Sequence, residues 1–229
     1  MLDFAPASYQ YIGMIVLAFL LLRIDKIGPY FRGLNTMFHE SGHAVMALLL
    51  TGKFSTVDLH ADTSGTCKYV QSGWLRDMLI NLAGYPFGIL AGWAMLYYQH
   101  LGKTDWVFYG LAGWLLLNLL FWVRNKFGWF WILSFGALLG GCWYYNNPHV
   151  TWYFLSFSAI VNSIEAVYSS LVILWLSADE PGHSGDAANL RSITYIPAIV
   201  WGLLFAGFSI AVALKTTEQL FAIEIVPWF

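Results

Sequence analysis

Apolar residues in this chain run in long unbroken blocks, not in the one-sided stripes of soluble helices or the alternation of half-buried strands. A bilayer crossing takes about 20 mostly apolar residues. Windows of that kind occur near 8–22, 33–51, 78–98, 106–123, 128–145, 150–177 and 193–214. The connections are short, and no repeat period emerges. The pattern predicts an all-α polytopic membrane protein, with one integral-membrane domain over residues 1–229. One stretch differs in kind. Residues 54–70, FSTVDLHADTSGTCKYV, are polar, β-branched and partly alternating, with DTSG as a turn signal. They predict a short β-hairpin directly after the second block. An unpaired strand there would offer an extended peptide a template to join.

Composition agrees with a bilayer as solvent. The chain is 59% hydrophobic, 18% aromatic and 10% charged, whereas soluble domains are about 25% charged. Aromatics crowd segment ends in FGWFW (127–131), CWYYNNPHVTWYF (142–154) and VPWF (226–229), as interfacial belts do. The first block, YIGMIVLAFLLL, follows Asp3 without a basic region and ends at Arg23 without a small-residue cleavage pattern. It reads as a retained span, not an export signal. Arg23, Lys26 and Arg32 predict a cytosolic loop after it, with the N-terminus outside. A net charge of −2 with no basic tail argues against nucleic acid as a partner. Cys67 and Cys142 are far apart and read as two free thiols.

The second block carries HESGH: His39, Glu40, Ser41, Gly42 and His43. Residues four apart on a helix lie one turn above each other, so both imidazoles can reach one metal ion. Tetrahedral zinc accepts such nitrogen ligands. Glu40 follows the first ligand and is placed to act as general base on zinc-bound water. Ionisable groups in a lipid-facing helix are costly, which favours this chemistry over a helix-packing polar cluster.

A catalytic zinc needs a third protein ligand and one open position. Chemistry alone ranks Asp186, His183 and Glu165 about equally; the first two lie in SADEPGHSGDAANL, the last in VNSIEAVYSS. His60, His100 and His149 read as solvated or interfacial. Asn162, one turn before Glu165, is a candidate for holding the substrate backbone or the oxyanion, against interhelical hydrogen bonding. Asn81 and the run Gly84 to Gly88 (NLAGYPFG) read as a close-packed or kinked helix start.

The order HESGHAVMALLLTGKFSTVDL, then SGT, NLAGYPFG and finally SGDAANL resembles the site-2-protease-like family of intramembrane zinc metallopeptidases. It is most similar to the compact bacterial branch without a PDZ domain, although the LDG tripeptide usual in the family is absent. The resemblance implies that Asp186 completes the zinc site with His39 and His43. It also implies a bacterial inner-membrane location and membrane-anchored protein substrates. Seven full crossings would put the helix starts that carry His39 and Asp186 on opposite faces. About six true spans are therefore expected, with a re-entrant segment in 106–145, where Arg124 and Lys126 separate two short blocks. The functional expectation is intramembrane proteolysis with Glu40 as base. The competing ones are a non-proteolytic zinc-binding transporter or sensor, and a pseudoprotease scaffold.

Overall fold

The computed structural model describes residues 8–223; Asp3 and the VPWF end lie outside them. The elements are α1 (Ser8–Leu21), α2 (Ile27–Thr51), β1 (Thr56–Leu59), β2 (Gly65–Lys68), α3 (Trp74–Leu82), α4 (Gly84–His100), α5 (Thr104–Leu117), α6 (Lys126–Tyr144), α7 (Pro148–Asp179), α8 (Asp186–Thr194) and α9 (Ala198–Phe221). A π-helical turn, Asn118–Trp122, prolongs α5. Five helical stretches are long and apolar enough to cross a membrane: 74–100, 104–122, 126–144, 148–179 and 198–221. Large apolar side chains such as Phe130, Leu133, Leu203 and Leu204 face outward from them, which suits lipid and not water.

Local signals set the boundaries. Asn147 accepts a hydrogen bond from the His149 amide and Pro148 opens α7, a favourable start. α2 stops at Gly52, whose φ of 69° is left-handed and whose N–H bonds Leu48 O.

Contacts give the helix directions. Gly84 of α4 lies against His43 of α2, and Gly88 lies against Asn35, so these helices run oppositely. Along α7, Trp152 O meets Gln99, Asn162 meets Gly88, and Glu165 meets Arg32. Hence α7 runs with α2. α9 returns, packing Gly202 on Leu174 and Phe205 on Tyr85 before Gln219 reaches Trp93. α5 climbs beside α2, with Trp114 on Phe38 and Asn118 on Ser41; α6 descends to stack Trp143 on Phe108. The C-terminal end of α2, the start of α4 and the start of α9 thus gather at one end.

The re-entrant segment expected in 106–145 is absent: two 19-residue helical stretches fill it, 104–122 and 126–144. Each is about 28 Å long, close to hydrocarbon thickness. The basic turn between them is tolerated because Arg124 caps the carbonyls of Leu120, Phe121 and Val123 with its own guanidinium. The interruption lies at the first two helices. Tyr11 packs on Trp152 and Phe221 at the far end of the bundle, while Leu22 O lies against Gly28 and Arg32. α1 and α2 therefore form one broken passage in a common direction. With α4, α5, α6, α7 and α9 this makes six traverses, and the second and eighth helices reach the same end.

The hairpin forms as expected, antiparallel with Val57 opposite Cys67. Its β1 is held on the other side by the α5–α6 turn. Val57 bridges Val123, Arg124 N–H bonds Val57 O at 3.0 Å, and the Asn125 amide bonds both Leu59 N (3.1 Å) and Leu59 O (2.5 Å). Asn125→Ala removes both Leu59 bonds and should loosen β1 by about 1–3 kcal/mol. Faster hydrogen exchange at the Leu59 amide, with α7 unchanged, is the expected result.

Candidate metal centre

Three side chains from opposite ends of the sequence converge at the gathered end. His39 Nε2 lies 3.1 Å from His43 Nε2, and Asp186 Oδ2 lies 3.2 Å from the first and 3.1 Å from the second. One ligand atom from each falls within 4.8 Å of the others. His43 is held by its far nitrogen, since Nδ1 stands 2.6 Å from Ile80 O, a carbonyl with no proton to give. Nδ1 must therefore carry the hydrogen, and Nε2 presents a lone pair. Asp186 Oδ2 is buried without a hydrogen-bond donor of acceptable geometry. A cluster of acceptors at this spacing is unfavourable until a cation sits among them. Tetrahedral zinc with ligands at 2.0–2.1 Å puts ligand atoms about 3.3 Å apart, so these residues fit the ion.

The backbone of the neighbouring elements is pressed against this group. Gly84 opens α4 directly over the imidazoles. A Cβ there would run into His43 Nε2 and come within 2.6 Å of His39 Cε1. Gly65 of β2 covers Glu40, where a Cβ would meet Cγ and Oε1 at 2.7 Å. Ser41, between the ligands, bonds Met37 O and Asn118 Oδ1, which ties α2 to the π-helical turn. Thr36 reaches Thr63 O at 2.8 Å and anchors the hairpin turn on α2.

Two cavities meet at the cluster and share Glu40, Gly65, Gly185 and Asp186. One, of about 480 Å³, runs down between α2 and α7 to Arg32, Glu165 and Tyr168. The other, of about 550 Å³, follows β2 past Cys67 and Tyr69 to Asn81, Asn189 and Ser192 of α8. Among the described residues β2 pairs only with β1, and it borders this second lobe.

The other sequence candidates lie elsewhere. His183 is exposed and paired with Glu180 at 3.4 Å. Glu165 pairs with Arg32 at 3.3 Å. Asn162 is fully buried and donates to Gly88 O at 2.8 Å, in the α4–α7 packing and outside both cavities. Arg32 and Tyr85 line the first cavity and were not singled out as site residues from the sequence. Their signals were a basic residue seven positions before His39 and an aromatic within NLAGYPFG.

A membrane bundle that carries an HExxH helix and delivers a carboxylate to it has the makings of a membrane metallopeptidase. The Peptidase M50B-like family model matches residues 12–216, and the chain belongs to that family. It is a site-2-protease family of intramembrane zinc metallopeptidases, and it implies a lipid bilayer and membrane-protein substrates. No curated protein and no solved structure matches the chain at a significant level.

Gly84→Ala should displace both imidazoles and cut zinc affinity at least 10-fold, the scale of supporting-contact losses at metal sites, as read by zinc competition with a chelator. Cys67 is a free thiol on β2, and burial, reinforced by the Glu40 carboxylate, pushes it up to about 12. In a Cys142→Ser background, alkylation of Cys67 should rise about tenfold per pH unit from 8 to 10. The unfolded chain should level off near the ordinary thiol value of about 8.5.

Proposed function

We propose that this protein is an intramembrane zinc endopeptidase that hydrolyses peptide bonds of membrane-anchored protein substrates. His39, His43 and Asp186 hold the metal, and Glu40 is the general base. The observation that supports this most is the convergence of three acceptor atoms beside Glu40, which is only 6% exposed and faces the cavity. The whole of 1–229 acts as one metallopeptidase domain in this reading, and we assign it to a bacterial inner membrane on its resemblance to the compact bacterial members.

Zinc, when bound, supplies a Lewis acid that polarises the scissile carbonyl and acidifies water. The chain's own residues do the rest. Glu40 takes a proton from the attacking water as its oxygen bonds to the carbonyl carbon and the C=O π pair moves to oxygen. When the C–N bond breaks, Glu40 gives that proton to the leaving nitrogen, yielding an acid and an amine. Gly65, packed on the Glu40 carboxylate, restricts its movement. Peptide bonds in a spanning helix are hydrogen-bonded to one another, so a substrate must unwind locally. The open edge of β2 borders the cavity and can take up the freed amides and carbonyls as an added strand.

The test uses zinc-loaded protein in detergent and a pool of synthetic single-span peptides of about 20 apolar residues, with fragments identified by mass. Wild type should cut the pool. Glu40→Gln should lower cleavage by at least about 10²-fold while keeping its zinc. Asp186→Ala and His39→Ala should lose zinc. Stoichiometric zinc in Asp186→Ala would remove Asp186 from the ligand set, and unchanged cleavage by Glu40→Gln would remove Glu40 from catalysis.

A further inference from the structure

Tyr85 is the second residue of α4, beside the glycine that meets the imidazoles. It is 8% exposed. Its ring stands edge-on to His39 with centroids 4.6 Å apart, and against Phe205 at the same separation. The ring is thus held on two sides, yet its hydroxyl makes no hydrogen bond to any described residue. Buried tyrosine hydroxyls ordinarily find a partner. This one belongs to a side chain lining the cavity with His39, Glu40 and Asp186.

Hydrolysis needs a donor for the carbonyl oxygen as negative charge develops there. Most other polar side chains around the cavity are already paired or stand toward its Arg32 end. Thr36 bonds Thr63 O, Ser169 bonds Ala166 O, Ser64 bonds Asp62, and Arg32 pairs with Glu165 over the Tyr168 ring. Asn35 sits a helical turn farther from the ligand atoms, with Oδ1 turned to Gly88. We infer that Tyr85 is a catalytic residue whose hydroxyl donates a hydrogen bond to the substrate carbonyl oxygen as water adds. The inference rests on the protease reading above.

Tyr85→Phe keeps the ring on His39 and Phe205 and deletes only the donor. With a peptide that the wild type cuts, kcat should fall about 100-fold, the scale for loss of one oxyanion donor. KM should stay within twofold, and zinc per chain and thermal midpoint should be unchanged. A second readout does not depend on turnover. An apolar peptide with a phosphinate in place of one Ala-Leu bond carries tetrahedral oxygens like those of the transition state. Its affinity, by titration calorimetry, should also fall about 100-fold. Phosphinate affinity within threefold of wild type overturns the proposal, as does a loss of zinc or of thermal stability that accounts for the defect. If the wild type cuts no peptide, the protease reading fails, and phosphinate binding alone decides whether Tyr85 is a donor.

Discussion

Three acceptor atoms are held about 3 Å apart inside a largely apolar helix bundle, and the surrounding structure serves that contact. Lone pairs facing one another at that distance repel, most of all where little water screens them. Each neighbouring element resists their separation. Ile80 O fixes one imidazole from behind, and the bare Cα of Gly84 leaves no room for either ring to swing toward α4. Asp186 opens α8, where a carboxylate also gains from the unpaired amides of a helix start. A cation among the three would turn the repulsion into attraction.

The hairpin solves a second problem, holding an extended chain next to a helix in a membrane. An open strand edge in lipid would leave amides and carbonyls unpaired at several kcal/mol each. Here the inner edge is closed by Arg124 N–H and the Asn125 amide. The outer edge borders a cavity with polar walls, Lys68, Gln71 and Asn189 among them. The strand is therefore stable with one side unpaired only because that side faces a place water can occupy. A substrate strand would replace that water without changing the count of satisfied groups.

The hydropathy blocks, the hairpin and the close approach of His39 and His43 could all be read from the sequence because each depends on local spacing. Period, turn residues and the i, i+4 placement of His39 and His43 need no knowledge of the fold. The third group is different. Asp186, His183 and Glu165 are chemically alike as candidates, and what separates them is partners far away in sequence. Glu165 is taken by Arg32, His183 is left in solvent beside Glu180, and Asp186 alone faces the imidazoles. Resemblance pointed to Asp186 where residue chemistry did not. Asn162 shows the converse: an amide one turn from Glu165 suits an oxyanion site or a helix contact equally, and the approach of Gly88 decides for the contact. The broken α1–α2 passage was hidden for a related reason. Two apolar blocks joined by a basic turn look the same whether the chain reverses or continues, and only the packing of Tyr11 against Trp152 and Phe221 tells them apart.

The Arg32–Glu165 pair bears on how water reaches the centre. An ion pair fully removed from water is usually no more stable than apolar residues of the same size, and often less. In a bilayer the argument is stronger. Yet this pair joins α2 to α7 two helical turns below His39, with Tyr168 under the guanidinium at 5.7 Å. The Arg32 side chain is 28% exposed, and the surface it exposes lines the cavity that ends at Asp186. Charge at that depth is consistent with a wet cavity, because hydration of the guanidinium offsets much of the desolvation cost. Hydrolysis in a membrane demands the same thing, a supply of water to a site walled by apolar helices. The pair therefore joins the two helices between which the cavity runs and keeps its lower end polar, which ties the fold's costliest side chains to the one reactant that lipid cannot deliver.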